Sequence, residues 1–289
     1  MIRRSIYGMI AFSVLCMATA SIIIRYSDAP SMAIAFYRVL FTALAAGLLG
    51  GVTLNRPAPK INKKDFMLLA GSGFFLALHF AFWIRSLDYT SVASSVLFTN
   101  LQVVFVLFFS IVFLKEKVNG WAVAGILLAV SGSLLIGMGD LGNGNFRGDM
   151  MALASGLFVA VYFIIGRQVR ARINVWHYTL FVSLIAAVVL LAGSVAMNIP
   201  LTGYPPVEWL FFGLLALGPG IAGHGILNWA LKYVKAPMVA VSILGESVGA
   251  SIMAWIFFQE SLTWYQLIGG LCILGGIYLA VVNEKTTPA

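Results

Sequence analysis

Long apolar runs broken only by short basic loops constrain this chain more than any other feature. Of its 289 residues, 61% are apolar and 10% are charged, where a soluble domain carries about 25% charged residues. So few charges cannot cover a water-facing surface, so most of the exterior must face lipid. In hydrocarbon every backbone N–H and C=O needs a partner within the protein, which leaves helices and closed barrels. Runs of about 20 apolar residues satisfy that need as single spanning helices. Ten such runs are predicted, at 5–26, 30–51, 65–87, 90–114, 118–138, 148–168, 174–197, 206–232, 236–259 and 263–283. They use nearly the whole length and leave no room for a soluble catalytic domain. The fold expected is an all-α integral membrane protein.

Pro30, Pro206 and Pro237 fall in the first turns of their runs, where a missing N–H costs little. The first run holds Ala18-Thr19-Ala20, a small-residue pattern of the kind a signal peptidase cleaves. The run continues apolar through Ile24, so it is taken as a retained helix. Cys16 and Cys272 lie inside apolar runs and form no disulfide framework or metal spacing.

A net charge of +8 would suit nucleic acid, but the basic residues sit in loops, where they set topology instead. With the N-terminus in the cytoplasm, the inner segments hold Arg3, Arg4, Arg56, Lys60, Lys63, Lys64, Lys115, Lys117, Arg167, Arg170, Arg172, Lys232, Lys235 and Lys285. The outer segments hold Arg25, Arg85 and Arg147. This asymmetry predicts both termini inside, in a cell (inner) membrane, with an even number of spans. The bilayer is the one macroscopic partner implied; nucleic acid is not.

The two halves repeat. A gapless shift of 144 residues lays Leu87 on Leu231, Tyr89 on Tyr233, Phe113 on Phe257, Glu116 on Glu260, Gly125 on Gly269 and Gly132 on Gly276, with Trp121 on Tyr265. The domains expected are residues 1–139 and 148–289, joined by a polar, glycine-rich linker at 140–147. Five helices per half is odd, so the second half must be inverted. Inverted repeats are a recurrent plan of secondary transporters, with the substrate held between them.

Several of these stretches resemble the drug/metabolite transporter superfamily, EamA type. They are Ile34-Ala-Phe-Tyr-Arg38, the run from Ser86 through Ser95, Phe113-Leu-Lys-Glu-Lys117 with Gly125 and Gly132, and Phe257-Phe-Gln-Glu-Ser-Leu-Thr263 with Gly269 and Gly276. The resemblance covers essentially the full chain. It implies two five-helix units and an exporter or exchanger of metabolites such as amino acids or related small organic molecules. Similar proteins usually carry a proline in the middle of the fourth and ninth helices. Val103 and Ser247 stand there instead, so a proline kink is not available.

Polar groups in hydrocarbon are costly and tend to face the bundle interior. Glu246 is the acidic residue deep in a span, and Gln102 is its equivalent under the shift. Glu246 can bind a substrate amine or a coupling proton, or serve as a protonated packing hydrogen bonder. His224 and Asn228 share a face of the eighth helix, beside Gly218-Pro219-Gly220, Gly223 and Gly225. That stretch is expected to bend or partly unwind and line the site; the alternative is close packing through glycine. His79 and Trp83 pair on the third helix, as cavity lining or as packing with satisfied hydrogen bonds. For Arg38, snorkelling to the outer headgroups is preferred over a carboxylate or phosphate contact or a gating ion pair. Tyr162, Thr99 and Asn100 complete the candidates. Glu116 and Glu260 are expected to cap helices or pair with basic residues. The stripes Gly125, Ala129, Gly132 and Gly269, Cys272, Gly276 are expected to pack the fifth helix on the tenth. The spacing Gly245-xxx-Gly249 may serve packing or leave room for a ligand. Such stripes serve packing within a chain as well as between chains, so they set no oligomeric state.

There is no Walker glycine loop, no metal-ligand cluster and no nucleophile elbow in the sequence. No cofactor is implied and no enzyme is expected. The function expected is secondary transport of a small organic metabolite by alternating access around a midplane cavity. A membrane scaffold or assembly subunit is the alternative, and a lipid-modifying enzyme a third.

Overall fold

A computed structural model of the chain describes residues 2–53, 61–137, 145–259 and 263–282. Among them ten helices are long and apolar enough to cross a membrane: α1 (Ser5–Tyr26), α2 (Ser31–Gly51), α3 (Lys63–Ser86), α4 (Ser94–Phe113), α5 (Gly120–Gly137), α6 (Phe146–Arg170), α7 (Val175–Ala196), α8 (Pro206–Ala230), α9 (Ala236–Phe257) and α10 (Trp264–Val282). The outer surface is apolar, with Leu48, Phe108, Leu127, Val188, Leu271 and Tyr278 exposed. Such a surface is stable against lipid tails and not against water. Most of the linker at 140–147, and Glu260, lie outside the described residues.

The helices pack with the symmetry of a two-fold rotation. α2 lies on α7 and α5 on α10, each pair being its own image; α3 lies on α6 as α8 lies on α1. The α5–α10 seam shows the sense of that rotation. A Cβ placed on Gly125 would meet the Gly276 carbonyl oxygen at 2.5 Å, and one on Gly276 would meet the Gly125 oxygen at 2.5 Å. Gly132 stands against the Gly269 oxygen in the same way. Low numbers on one helix therefore meet high numbers on the other, so the two run antiparallel. Gly125 and Gly269, and likewise Gly132 and Gly276, are equivalent under the 144-residue shift. Each helix thus contacts the image of its own contact, as in an isologous interface. A rotation that reverses helix direction has its axis across the helices, which is the geometry of an inverted repeat.

Three helices are irregular at mid-length. α4 is interrupted at Leu101, between Val92–Asn100 and Gln102–Phe113, and α9 at Leu244, between Ala236–Ile243 and Gly245–Phe258. At each break the backbone tightens to three-residue hydrogen bonds, Val104 N–H to Leu101 O at 3.0 Å and Ser247 N–H to Leu244 O at 3.1 Å. The missing prolines therefore do not straighten these helices. In α8 the turn widens to a π-helix over Ala216–Gly225, with Pro219 inside it. This corrects the expectation of unwinding: the stretch stays helical with a wider turn. π-turns commonly mark functional positions.

Candidate functional site

The irregular segments of α4, α8 and α9 meet around one small internal cavity of about 20 Å³, room for about one water. Eight candidates line it: Arg38 from α2, His79 and Trp83 from α3, Thr99, Asn100 and Gln102 from α4, His224 from α8 and Glu246 from α9. Its apolar walls include Phe80 and Phe163. Tyr162 and Asn228 line a second cavity, of about 20 Å³, which shares Arg38, Phe80 and His224 with the first. The ten candidates thus surround two chambers with a common wall.

Arg38 departs from the preferred reading. It is only 2% exposed, so it does not snorkel to lipid headgroups. Its guanidinium carbon lies 4.2 Å from the centroid of the Phe80 ring and 5.7 Å from that of Trp83. Its Nε and Nη1 are buried without a hydrogen-bond partner among the described residues. Glu246 shares the cavity but forms no ion pair with it.

The other polar residues divide between structural bonding and free groups. His79 Nδ1 lies 2.8 Å from Ser155 Oγ, and the imidazole stacks parallel to Trp83 at 6.2 Å between ring centroids. It is therefore both a fixed hydrogen bonder and a wall. Thr99 Oγ1 donates across to the Ala152 carbonyl at 3.3 Å. Asn100 donates to Ser247 Oγ at 2.8 Å, joining the interruption of α4 to that of α9. Tyr162 OH donates to Asn228 Oδ1 at 2.8 Å. Gln102 Oε1, Trp83 Nε1 and His224 Nδ1 remain buried without partners among the described residues.

Both ends of the bundle are tied. At one end, which gathers the basic loops, Arg167 Nε reaches Glu116 at 2.9 Å, and its Nη1 donates to the Leu231 carbonyl at 2.6 Å. Asp65 at the start of α3 holds Arg172 of the α6–α7 turn at 2.6 Å. At the other end Glu208, at the start of α8, accepts from Ser27 Oγ at 2.5 Å and from Asp28 N–H at 2.9 Å. The two anchors occupy equivalent places in the two halves. At that same end Asp149 accepts from Thr90 and Ser94, and Asp88 from Ser31 and Arg85.

Glu116 pairs as expected, and the glycine stripes of α5 and α10 pack as expected. Gly249 serves packing, since a Cβ there would meet Ala18 Cβ at 2.8 Å. Sequence reasoning missed Phe80, Phe163 and Ser155. Phe80 was within reach, because the 144-residue shift lays it on His224. Ser155 carries no pattern that separates it from other helix serines.

Ten apolar helices in two halves, with polar side chains gathered at one internal site, define a polytopic membrane protein. The chain belongs to the EamA-like transporter family, whose model matches residues 4–138 and 146–282. It is therefore a transporter and not an enzyme. It is 26% identical to human solute carrier family 35 member G1 over 77% of this chain and 63% of that one. It thus spans under two thirds of that relative's length. It is 26% identical to an uncharacterized transporter of Archaeoglobus fulgidus over 94% of both chains. One solved crystal structure matches with a TM-score of 0.77 at 20% identity, over 96% of this chain and 97% of that one. That likeness concerns the fold.

Proposed function

We propose that the chain is a secondary transporter that moves a small organic metabolite outward, or in exchange, by alternating access around the cavity. The observation that carries this reading is the convergence of unpartnered polar groups from both halves, Arg38, Trp83 and Gln102 from one and His224 from the other, on one internal site. A scaffold has no need to gather Arg38, Glu246 and Gln102 at one buried site between the two halves. Rocking of one half against the other breaks one set of end ties at a time: Arg167–Glu116 and Asp65–Arg172 on one side, the Glu208, Asp149 and Asp88 bonds on the other. The basic end faces the cytoplasm of a cell membrane, with both termini there, which follows the loop-charge rule. Glu246 is the group able to carry a coupling proton.

The test is flux in reconstituted vesicles. Glu246→Gln should fold normally, and its flux should fall about tenfold, the loss expected for a charged hydrogen bond, or lose its dependence on pH. Flux equal to the native protein's at every pH would exclude Glu246 from transport.

A further inference from the structure

We infer that the α2–α3 wall of the cavity is an oxyanion site, in which Arg38 and the indole N–H of Trp83 take the carboxylate or phosphate oxygens of the molecule carried. The inference deepens the transport reading and rests on it, since it gives that cavity its ligand.

Among the described residues three arginines are buried in the bundle, and two of them are satisfied. Arg167 has Glu116 and the Leu231 carbonyl, and Arg170 donates its Nε to the Asn228 carbonyl at 2.9 Å. Arg38 is buried as deeply, yet two of its three nitrogens have no partner. A buried guanidinium left in that state costs several kcal/mol, so a structural role does not account for it. The Phe80 ring covers one face of the group. A cation held on an aromatic face keeps its in-plane N–H edge for another partner, and that edge matches the two oxygens of a carboxylate or phosphate. Trp83 lines the same chamber with its own N–H unpartnered. It lies beside the guanidinium and adds a third donor. No described residue accepts a hydrogen bond from the Arg38 Nε or Nη1. Glu246, in the same chamber, offsets the Arg38 charge electrostatically without an ion-pair contact among the described residues, and the Gln102 oxygen is unpartnered. The site thus holds donors on one wall and acceptors on another. The molecule that satisfies the donors is an anion, and it enters as the helices part, since the cavity as it stands has room for about one water.

The experiment offers vesicles containing the full chain a defined mixture of carboxylic acids, sugar phosphates, primary amines and neutral polyols, and identifies by mass spectrometry what accumulates inside. Compounds accumulated by the native protein should all bear a carboxylate or a phosphate, and comparing those two groups tells which oxyanion is taken. Arg38→Gln should lower their accumulation about tenfold, the loss of one charged contact. Arg38→Lys, which keeps the charge without the fork, should fall between. If Arg38→Gln does not fold, Arg38→Lys decides. Accumulation of amines or polyols by the native protein overturns the site, and so does an unchanged set and rate in the Arg38 variants. If the native protein accumulates nothing, the transport reading fails, and melting curves with the same compounds judge the site alone. A rise with carboxylates or sugar phosphates that Arg38→Lys weakens keeps it, and no rise overturns it.

Discussion

Asn100 of α4 donates its side-chain amide to Ser247 Oγ of α9 at 2.8 Å, so the interrupted points of two equivalent helices are bonded to each other beside the cavity. The Ser247 N–H bonds the Leu244 carbonyl. Bonds of this kind between membrane helices average about 0.6 kcal/mol in double-mutant cycles. Asn100→Ala and Ser247→Ala should each destabilise the protein by about that amount, and the double variant by little more than either alone. A cycle measured by denaturant titration in detergent checks this; additive losses would mean that the bond contributes nothing.

Two adjacent glycines of α10 should behave differently. A Cβ on Gly276 meets the backbone of α5 at 2.5 Å, whereas one on Gly275 meets only Leu128 Cδ2 at 3.9 Å. Gly276→Ala should cost about 1–3 kcal/mol, the usual range for overpacking, while Gly275→Ala should be neutral or slightly stabilising. Melting temperatures of the two variants decide; equal melting would remove the seam from the account of stability.

At the basic end, Glu116 is the carboxylate partner of a buried arginine and also accepts from Ser110 Oγ at 2.5 Å. Glu116→Ala removes the carboxylate partner of the buried Arg167 charge, and should destabilise by about 3 kcal/mol. It should also loosen that end of the bundle. A cysteine placed at His224 in a Cys16→Ser, Cys272→Ser background should then react faster with a membrane-impermeant thiol reagent added on that side. An unchanged reaction rate would show that the ion pair holds the fold and not the closure.

His224 lines both chambers and Asn228 only the second. With alternating access, cysteines at both positions should react with water-soluble reagents, each from the side to which its chamber opens. Complete protection of His224→Cys from both sides would place it in packed protein.

The spans were legible because the bilayer leaves so few solutions: a long apolar run with flanking basic loops has little else to become. The inverted repeat was legible because glycine and Glu116 recur at one shift, and the seam between Gly125 and Gly276 follows from it. Arg38 was misjudged for a physical reason. Its distance along α2 can be counted, but the face it occupies depends on where α3 and α8 lie, and these supply Phe80 and His224 as its neighbours. The π-turn of α8 was hidden for a similar reason. Gly218, Pro219 and Gly220 announce an irregularity, but residue type does not say which form it takes; α1 packs close there, with Met17 Cγ 2.6 Å from where a Cβ of Gly223 would be. The interruption at Leu101 has no glycine or proline within it and could not be read from residue type.

The seam of α5 with α10 has a consequence for how such a chain could be assembled. A surface that fits its own rotated copy is present in each half, so each half carries the adhesive needed to recruit the other. Two separately made five-helix pieces, inserted in opposite senses, would meet along glycines whose backbones already fit. They would bring the chamber walls together without a covalent link. Fusion into one chain then fixes the stoichiometry and allows the two walls to diverge, which is how one side can come to hold Gln102 where the other holds Glu246.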